Sequence, residues 1–376
     1  MLTPPPLALY VHFPWCVKKC PYCDFNSHTT ANLPEAEYVD ALRQDLLSQI
    51  DGLNRPITSI FIGGGTPSLI SPQGIADTLD LAERTLGFSS DIEITLEANP
   101  GTAESTRFKG YKAAGINRLS IGVQSFDDLA LSQLGRIHSS NEAYNAFKMA
   151  RNAGFDNINL DLMHGLPGQS VTGAIRDLEQ ALRLEPEHIS WYQLTIEPNT
   201  AFFNQPPSLP ADDLLADIED AGFSLLAEHH FNRYEVSAFA QQNKSSRHNL
   251  NYWLFGDYLG IGAGAHGKIS RASGSIHRTQ KSRAPNDFMA KPTKTIANQI
   301  PSDDLVFEFM LNALRLIEGS DVATFTQRTG LNASVLQSSV KTLSSEKLMH
   351  ELPKLQTTEL GFRFLNDVVN RFSEAN

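Results

Sequence analysis

Six short apolar runs alternate with amphipathic stretches through the first two-thirds of the chain. This alternation predicts strand–helix units in series, which form a parallel sheet, and right-handed crossovers would curl that sheet into a full or partial barrel. The fold class is therefore predicted to be α/β. The six predicted strands are Leu7–Phe13, Ser59–Ile62, Ile92–Leu96, Arg118–Val123, Asn157–Leu162 and His188–Ile196.

Two helices between these strands have clear sequence signals. One is predicted from Glu35 to Gly52, where apolar residues recur at helical spacing. The other has Ser71 as N-cap, Pro72 at its first position and Gly87 just beyond its end, which are typical start and stop signals.

The last third of the chain changes character and is predicted to form a smaller second domain. We place the boundary between residues 1–290 and 291–376, because residues 285–301 are polar and irregular and predict a linker. Short strands joined by glycines are expected before this linker. The segments predicted there and after the linker are strands within Glu235–Gly267, helices at Leu305–Ile317, Asp321–Thr329 and Ala333–Leu348, and a hairpin at Glu351–Phe364.

The charge of the chain disfavours a nucleic-acid-binding protein. The formal net charge of −11 disfavours a general nucleic-acid binder, since phosphate contacts need clustered Lys and Arg. The C-terminal helices could suggest a winged helix that reads DNA, but residues 321–376 hold six Lys and Arg against six Asp and Glu. That segment is neutral, so we expect a lid or a partner-docking domain and no nucleic-acid partner.

The chain's 376 residues exceed one barrel of about 250 residues and can bury a large core without disulfides.

The sequence also indicates where the protein is located. The start of the chain has no signal-peptide pattern, and no apolar run reaches the roughly 20 residues of a membrane span. We expect a cytoplasmic protein whose contact with a membrane, where it occurs, is peripheral.

The chain's three cysteines, Cys16, Cys20 and Cys23, lie within eight residues. This C-x3-C-x2-C spacing can hold three irons of a [4Fe–4S] cluster and leave the fourth iron without a protein ligand. Two alternatives stay open from spacing alone. One is a Cys3His zinc site, with His12 or His28 as the fourth ligand, and the other is three buried, unligated thiols.

Polar residues stand out at the carboxyl ends of the predicted strands, where parallel barrels carry their chemistry. Strand two ends in three glycines followed by Thr66, strand three in Glu97 and strand five in Asp161, while strand four carries Gln124 and leads to Arg136. A glycine run can be a structural turn, and a single carboxylate is often a helix cap. Several such groups beside an open cluster favour a binding site.

These motifs, taken together, resemble the radical SAM (S-adenosylmethionine) family of oxygen-independent coproporphyrinogen III dehydrogenases and their relatives. The resemblance runs over essentially the whole chain, and it lies closest to the heme chaperone branch. The motifs are the cysteine loop, GGGTP at 63–67, LEANP at 96–100, IGVQSF at 121–126, LGRIH at 134–138 and DLMHGLPGQS at 161–170.

The resemblance implies a partial (β/α)6 barrel with a small C-terminal α-rich, winged-helix-like domain. It implies a [4Fe–4S] cluster on the three cysteines and SAM chelating the open iron. The positions that match the family's SAM contacts are Tyr10, Tyr22, Gly64, Gly65, Thr66, Glu97, Gln124, Arg136 and Asp161.

The segment Arg247–Trp253 resembles the H-N-x-x-Y-W signature of the heme chaperone branch and makes His248 the expected heme ligand. The alternative is a capped loop histidine beside aromatic core residues. The dehydrogenases also carry a further cysteine two residues after the third cluster ligand, where this chain has Phe25, and a segment ahead of the cluster that is longer than the fifteen residues here. Both differences disfavour oxidative decarboxylation.

The implied function is that of a SAM-binding [4Fe–4S] heme chaperone that binds heme and transfers it to acceptor hemoproteins. Membrane-bound respiratory proteins are one implied class of acceptor, and a homodimer is one alternative for the oligomeric state. The alternative function is that of the coproporphyrinogen III dehydrogenase. Whether the protein cleaves SAM reductively, or uses it to gate heme handling, stays open at this point.

Overall fold

Seven parallel strands, the six predicted from the sequence and a seventh at Asp257–Ile261, form the centre of a twelve-stranded sheet in the structure, a computed structural model that describes residues 2–102, 105–271 and 273–373. The strands are β1 (Leu7–Phe13), β2 (Trp15–Cys16), β3 (His28–Thr29), β4 (Ile57–Gly64), β5 (Phe88–Ala98), β6 (Arg118–Gln124), β7 (Ile158–His164), β8 (His188–Gln193), β9 (Asn232–Glu235), β10 (Ala238–Ala240), β11 (Asp257–Ile261), β12 (His266–Ser270), β13 (Ile276–Gln280), β14 (Ile296–Gln299), β15 (Ser320–Asp321) and β16 (Lys354–Leu355). The order in the twelve-stranded sheet is β14-β13-β12-β11-β1-β4-β5-β6-β7-β8-β10-β9.

Helices connect the parallel strands and cover them. The helix predicted to end at Gly52 ends earlier, at Leu47, and the helix from Pro72 has the predicted Ser71 cap and Gly87 terminus. The helices are α1 (Glu35–Leu47), α2 (Pro72–Leu86), α3 (Ser105–Ala113), α4 (Asp128–Gln133), α5 (Ser140–Asn152), α6 (Val171–Leu182), α7 (Ala201–Asn204), α8 (Asp212–Glu228), α9 (Arg247–Trp253), α10 (Pro285–Ala290), α11 (Leu305–Ala313), α12 (Val322–Thr329), α13 (Gln337–Ser345), α14 (Glu359–Arg363) and α15 (Leu365–Asn370).

The centre of the sheet is buried on both faces, which explains why its strands read as continuous apolar runs. In β1, Leu7, Leu9 and Phe13 are fully buried, and the strand pairs in parallel with β4 on one side and β11 on the other. The sheet ends at β14 and β9, so the barrel is partial. The predicted α/β fold class is confirmed, and all six predicted strands are present.

The linker predicted at residues 285–301 is wrong. Helix α10 and strand β14 occupy this segment, and β14 pairs with β13 in antiparallel register, with Gln299 opposite His277. Every side chain of β14 is exposed, so the strand lacks an alternating apolar pattern. It forms through backbone pairing at the sheet edge, which the side-chain pattern does not encode.

The C-terminal helices enclose a hydrophobic cluster of their own, built around residues such as Phe309, Phe325 and Leu343. The hairpin predicted at Glu351–Phe364 is present only in part. Met349 and Thr357 form an isolated antiparallel bridge, but β16 pairs with β15, which lies more than thirty residues earlier, and α14 follows. The division into residues 1–290 and 291–376 stays a prediction. Among the described residues, no helix is long and apolar enough to cross a membrane.

Candidate functional site

The cysteine loop is held at the carboxyl end of β1 by a short parallel pair, β2 and β3, in which Cys16 faces Thr29. Cys16 is buried, and Cys20 and Cys23 are half-buried. All three line a cavity of about 260 Å³, which we call the cluster cavity. The three thiols therefore line one cavity, as a shared inorganic cluster requires.

The glycine turn after β4 presses directly against this loop. Gly64 has φ of +122°, and a Cβ there would lie 2.6 Å from the carbonyl oxygen of Phe13. A Cβ on Gly65 would lie 2.4 Å from the carbonyl oxygen of Trp15. Any side chain at these positions would push the two backbones apart. The glycines therefore serve both as a structural turn and as one wall of the cluster cavity.

Two carboxyl groups form the floor of the cluster cavity. An oxygen of Glu97 accepts a hydrogen bond from the Gly64 amide (3.1 Å), and Asp161 accepts from Ser120 Oγ (2.9 Å) and Asn159 Nδ2 (2.7 Å). Burial, with a contribution from the nearby Asp161 charge, raises the pKa of Glu97 to about 8. Burial also raises the pKa of Asp161. Neither group is a helix cap, and both are suited to meet a cationic ligand.

Opposite the carboxylates, Arg136 joins the cysteine loop to β6. Its guanidinium donates to Cys20 Sγ (3.5 Å) and to the carbonyl of Gly122 (2.8 Å). Gln124 has φ of +70°, a conformation that non-glycine residues rarely adopt, and its side-chain oxygen accepts a hydrogen bond from the hydroxyl of Tyr192 (2.5 Å). The backbone at the end of β6 is thus shaped to turn this amide into the cavity.

The cluster cavity brings together the three cysteines and every predicted SAM-binding residue except Tyr10. Arg136 Nε is buried without a hydrogen-bond partner among the described residues, so a bound polar ligand would satisfy it. These residues fit a [4Fe–4S] cluster with SAM beside it. Tyr192 and Ser120, which no sequence motif singled out, also line the cavity together with Asn99 of the LEANP motif. Tyr192 lies near the end of β8, whereas Ser120 lies within β6.

The zinc alternative has less support from the geometry. His12, one candidate fourth ligand, donates from Nε2 to the carbonyl of Asn26 (2.9 Å) and accepts at Nδ1 from the hydroxyl of Tyr10 (2.9 Å). The other candidate, His28, has Nε2 in contact with Asn26 Oδ1 at 3.3 Å. In the part of the chain that the structure describes, no three His, Cys, Asp or Glu side chains are grouped to hold a single metal ion.

A second, larger cavity of about 510 Å³ adjoins the first, and we call it the tyrosine cavity. It shares Phe25, Gly64 and Glu97 with the cluster cavity, so ligands in the two would be neighbours. Its lining combines aromatic, basic and acidic side chains. The remaining lining residues are Tyr10, His12, Asp24, Asn26, Tyr252, Tyr258, Gly264, His266 and Arg283.

The structure places His248 behind the wall of the tyrosine cavity, lining neither cavity. It is 1% exposed, with Nδ1 hydrogen bonded to Ser59 Oγ (3.1 Å) and Nε2 to the hydroxyl of Tyr252 (3.0 Å). Burial, and secondarily Arg118, lowers its pKa to about 3 and keeps the ring neutral. The heme role of His248 stays a prediction, and the hydrogen bond at the ligating nitrogen would have to break for the ring to bind iron.

The two aromatic residues of the same segment separate. Tyr252 lines the tyrosine cavity, as expected for a residue against a flat ligand. Trp253 turns away and packs against the Arg315 guanidinium, whose carbon lies 4.3 Å from the ring centroid. The segment therefore contributes one aromatic face to the cavity.

Comparison with known proteins agrees with this arrangement. The radical SAM superfamily model matches residues 10–181, and the HemN C-terminal domain model matches residues 300–364. The chain is 47% identical to the heme chaperone HemW of Haemophilus influenzae over 375 residues, covering 98% of both chains. It is 36% identical to that of Bacillus subtilis over 377 residues, covering 97% of this chain and 98% of that one.

Among solved structures, the coproporphyrinogen III oxidase HemN from Escherichia coli, described as a radical SAM enzyme, is similar in fold. The TM-score is 0.82 and the sequence identity 22%, with 98% of this chain and 90% of that chain covered. At this identity the likeness concerns the fold alone.

Proposed function

Because this chain belongs to the HemW family of heme chaperones within the radical SAM superfamily, we propose that it binds heme and transfers it to acceptor hemoproteins. The cargo is heme, and the acceptors are hemoproteins, membrane-bound respiratory proteins among them. The observation that carries this proposal is the match to proteins named heme chaperones at 47% identity over nearly the full length of both chains.

The two adjoining cavities support the same proposal. A chaperone that uses SAM while it handles heme needs two neighbouring sites, and Phe25, Gly64 and Glu97 lie in the walls of both cavities. The volume of the tyrosine cavity, about 510 Å³, is in the range of about 300 to 1,000 Å³ that organic ligands occupy in proteins.

In the cluster cavity, Cys16, Cys20 and Cys23 would hold a [4Fe–4S] cluster. When bound, such a cluster supplies one-electron chemistry. The chain's own contribution is orientation and charge. Arg136 donates to Cys20 Sγ, which stabilises sulfur as it carries negative charge, and Glu97 and Asp161 are suited to a cationic SAM.

Phe25 distinguishes the proposal from the coproporphyrinogen dehydrogenase alternative. It stands where the dehydrogenases carry an additional cysteine, is 60% exposed, and lines both cavities. An apolar ring at this point offers contact area to a flat ligand but neither a thiolate nor a proton.

The test uses protein reconstituted anaerobically with iron and sulfide and supplied with SAM. One portion is titrated with hemin and then mixed with an apo-hemoprotein, and a second portion is incubated with coproporphyrinogen III. We expect hemin binding, transfer to the acceptor and no protoporphyrinogen. Protein that binds no hemin yet converts coproporphyrinogen would overturn the proposal.

A further inference from the structure

The wall of the tyrosine cavity offers aromatic faces, and each of its three tyrosine hydroxyls has a hydrogen-bond partner. The hydroxyl of Tyr10 donates to His12 Nδ1 (2.9 Å), that of Tyr252 contacts His248 Nε2 (3.0 Å), and that of Tyr258 accepts from Arg278 (3.0 Å). With these hydroxyls engaged, the rings present mainly apolar surface to the cavity. Such a wall suits a flat, largely apolar ring system.

His266 differs from the other two histidines near this cavity. It is exposed, it lines the cavity at the start of β12, and its side chain makes no hydrogen bond among the described residues. His12 and His248, in contrast, have both ring nitrogens engaged. Partial burial and the nearby Arg278 and Arg283 lower the pKa of His266, which favours the neutral imidazole that binds metals.

Arg283 is the cation that lines the same cavity. Its guanidinium is exposed and forms no ion pair with any residue that the structure describes. A free guanidinium at the edge of an aromatic cavity suits a ligand that carries carboxylates at its rim. Asp24 and Glu97 also line the cavity, and their like charge disfavours carboxylates, so Arg283 is the lining residue that would accept them.

We propose that heme binds in the tyrosine cavity with His266 as the protein ligand to iron and Arg283 as the partner of a propionate. This inference rests on the proposed heme function and adds the location of the heme and its contacts. The free imidazole of His266, the aromatic walls and a free guanidinium provide the three kinds of contact that heme uses, namely an axial ligand, ring contact and propionate binding.

His248 then acts as a positioning residue. The His248 ring packs against Phe61, with the two ring centroids 5.3 Å apart. Its Nε2 contacts the hydroxyl of Tyr252, so the His248 ring holds the tyrosine in place from behind the cavity wall. Removing His248 should loosen one wall of the cavity and leave the iron ligand in place.

The test is a hemin titration of the full chain, followed by absorption and electron paramagnetic resonance spectra of the bound heme. His266→Gly should weaken hemin binding by more than about tenfold, since even outer-shell partners of metal ligands commonly contribute about 10- to 100-fold. Added imidazole should restore the wild-type spectrum of the His266→Gly variant. Arg283→Ala should weaken binding with an unchanged spectrum. His277→Ala, on β13 and outside both cavities, is the matched control and should behave as wild type.

His248→Ala distinguishes the two histidines. We expect weaker hemin binding with the wild-type iron spectrum, because the ligand is retained. Circular dichroism and iron content check that His266→Gly is folded. An unchanged heme spectrum and hemin affinity in the folded variant would overturn this inference. The proposed function would still stand, because the wild-type protein binds hemin. A changed ligand spectrum in His248→Ala alone would also overturn it. Wild-type protein that binds no hemin would overturn both this inference and the proposed function.

Discussion

The side-chain amide of Asn26 donates a hydrogen bond to the backbone carbonyl of Arg283 at 2.9 Å. The same amide donates to the carbonyl of Ala263 (3.0 Å), and the backbone carbonyl of Asn26 accepts from His12. Since Asn26 lies three residues after Cys23, the cysteine loop is tied directly to the wall of the tyrosine cavity. Order in the loop therefore favours order in the cavity.

Removing the side-chain amide of Asn26 should reduce the effect that the bound cluster and SAM have on hemin affinity. We expect Asn26→Ala to retain its iron but to bind hemin less tightly, because two hydrogen bonds of about 1 kcal/mol each are lost. The difference in hemin affinity with and without cluster and SAM should also shrink, as measured by titration of both forms. Asn32→Ala, an exposed asparagine of the same region, is the control. An unaltered difference in Asn26→Ala would show that the cavities communicate by another route.

The three thiols in one cavity predict an iron–sulfur protein. Anaerobically reconstituted protein should be brown, hold about four irons per chain and bleach with dithionite. Replacing Cys16, Cys20 or Cys23 by Ala should abolish this colour, while Val17→Ala, exposed in the same loop, should keep it. A colourless protein with one zinc would contradict the prediction, and metal analysis decides.

The raised pKa of Glu97 predicts proton release when SAM binds. With a pKa of about 8 the group is largely protonated at neutral pH, and a cationic ligand favours its ionised form. Calorimetric titration in buffers of different ionisation enthalpy should detect this release in wild-type protein. It should be absent in Glu97→Gln, and Glu93→Gln, which lines neither cavity, should retain it. Equal proton release from Glu97→Gln would assign it to another group.

The raised pKa of Glu97 also makes the free energy of unfolding depend on pH. Because the folded pKa of Glu97 lies above its ordinary value of 4.5, the folded state binds more protons than the unfolded state between pH 4.5 and about 8. This group's contribution to the free energy of unfolding is therefore fully present below pH 4.5 and is lost as pH rises through about 8. Urea unfolding of protein without cofactors should show a shallower decline with pH in Glu97→Gln. An identical pH dependence in both proteins would mean that Glu97 ionises normally.

A buried ion pair predicts where the fold is most sensitive. Lys268 is 2% exposed and lies 3.0 Å from Asp257, which also accepts from Arg55 and Ser270. Lys268→Met should lower the free energy of unfolding by about 3 kcal/mol, since it leaves a buried carboxylate short of one partner. Lys354→Met removes the exposed pair with Glu318 and should change stability by less than about 1 kcal/mol. Chemical denaturation of both variants checks the contrast, and equal losses would refute it.

Much of this protein could be predicted from its sequence because the relevant signals are local. Apolar runs of strand length separated by helical periods indicated the parallel strands. The polar residues expected at the strand ends, Glu97, Gln124 and Asp161, line one cavity, although Asp161 lies in the middle of β7. Strand β14 was missed because pairing at a sheet edge uses the backbone alone and leaves exposed, patternless side chains.

The sequence by itself determined the cysteine triad and the alternation of strands and helices, and it supplied the positions that are predicted to bind SAM. Only the tertiary structure decided that Tyr10 faces the tyrosine cavity, that His248 lies behind its wall, and that His266 is free within it. The physical reason is that spacing fixes which residues share an element. The side from which distant elements close around a side chain depends on packing between residues far apart in the chain.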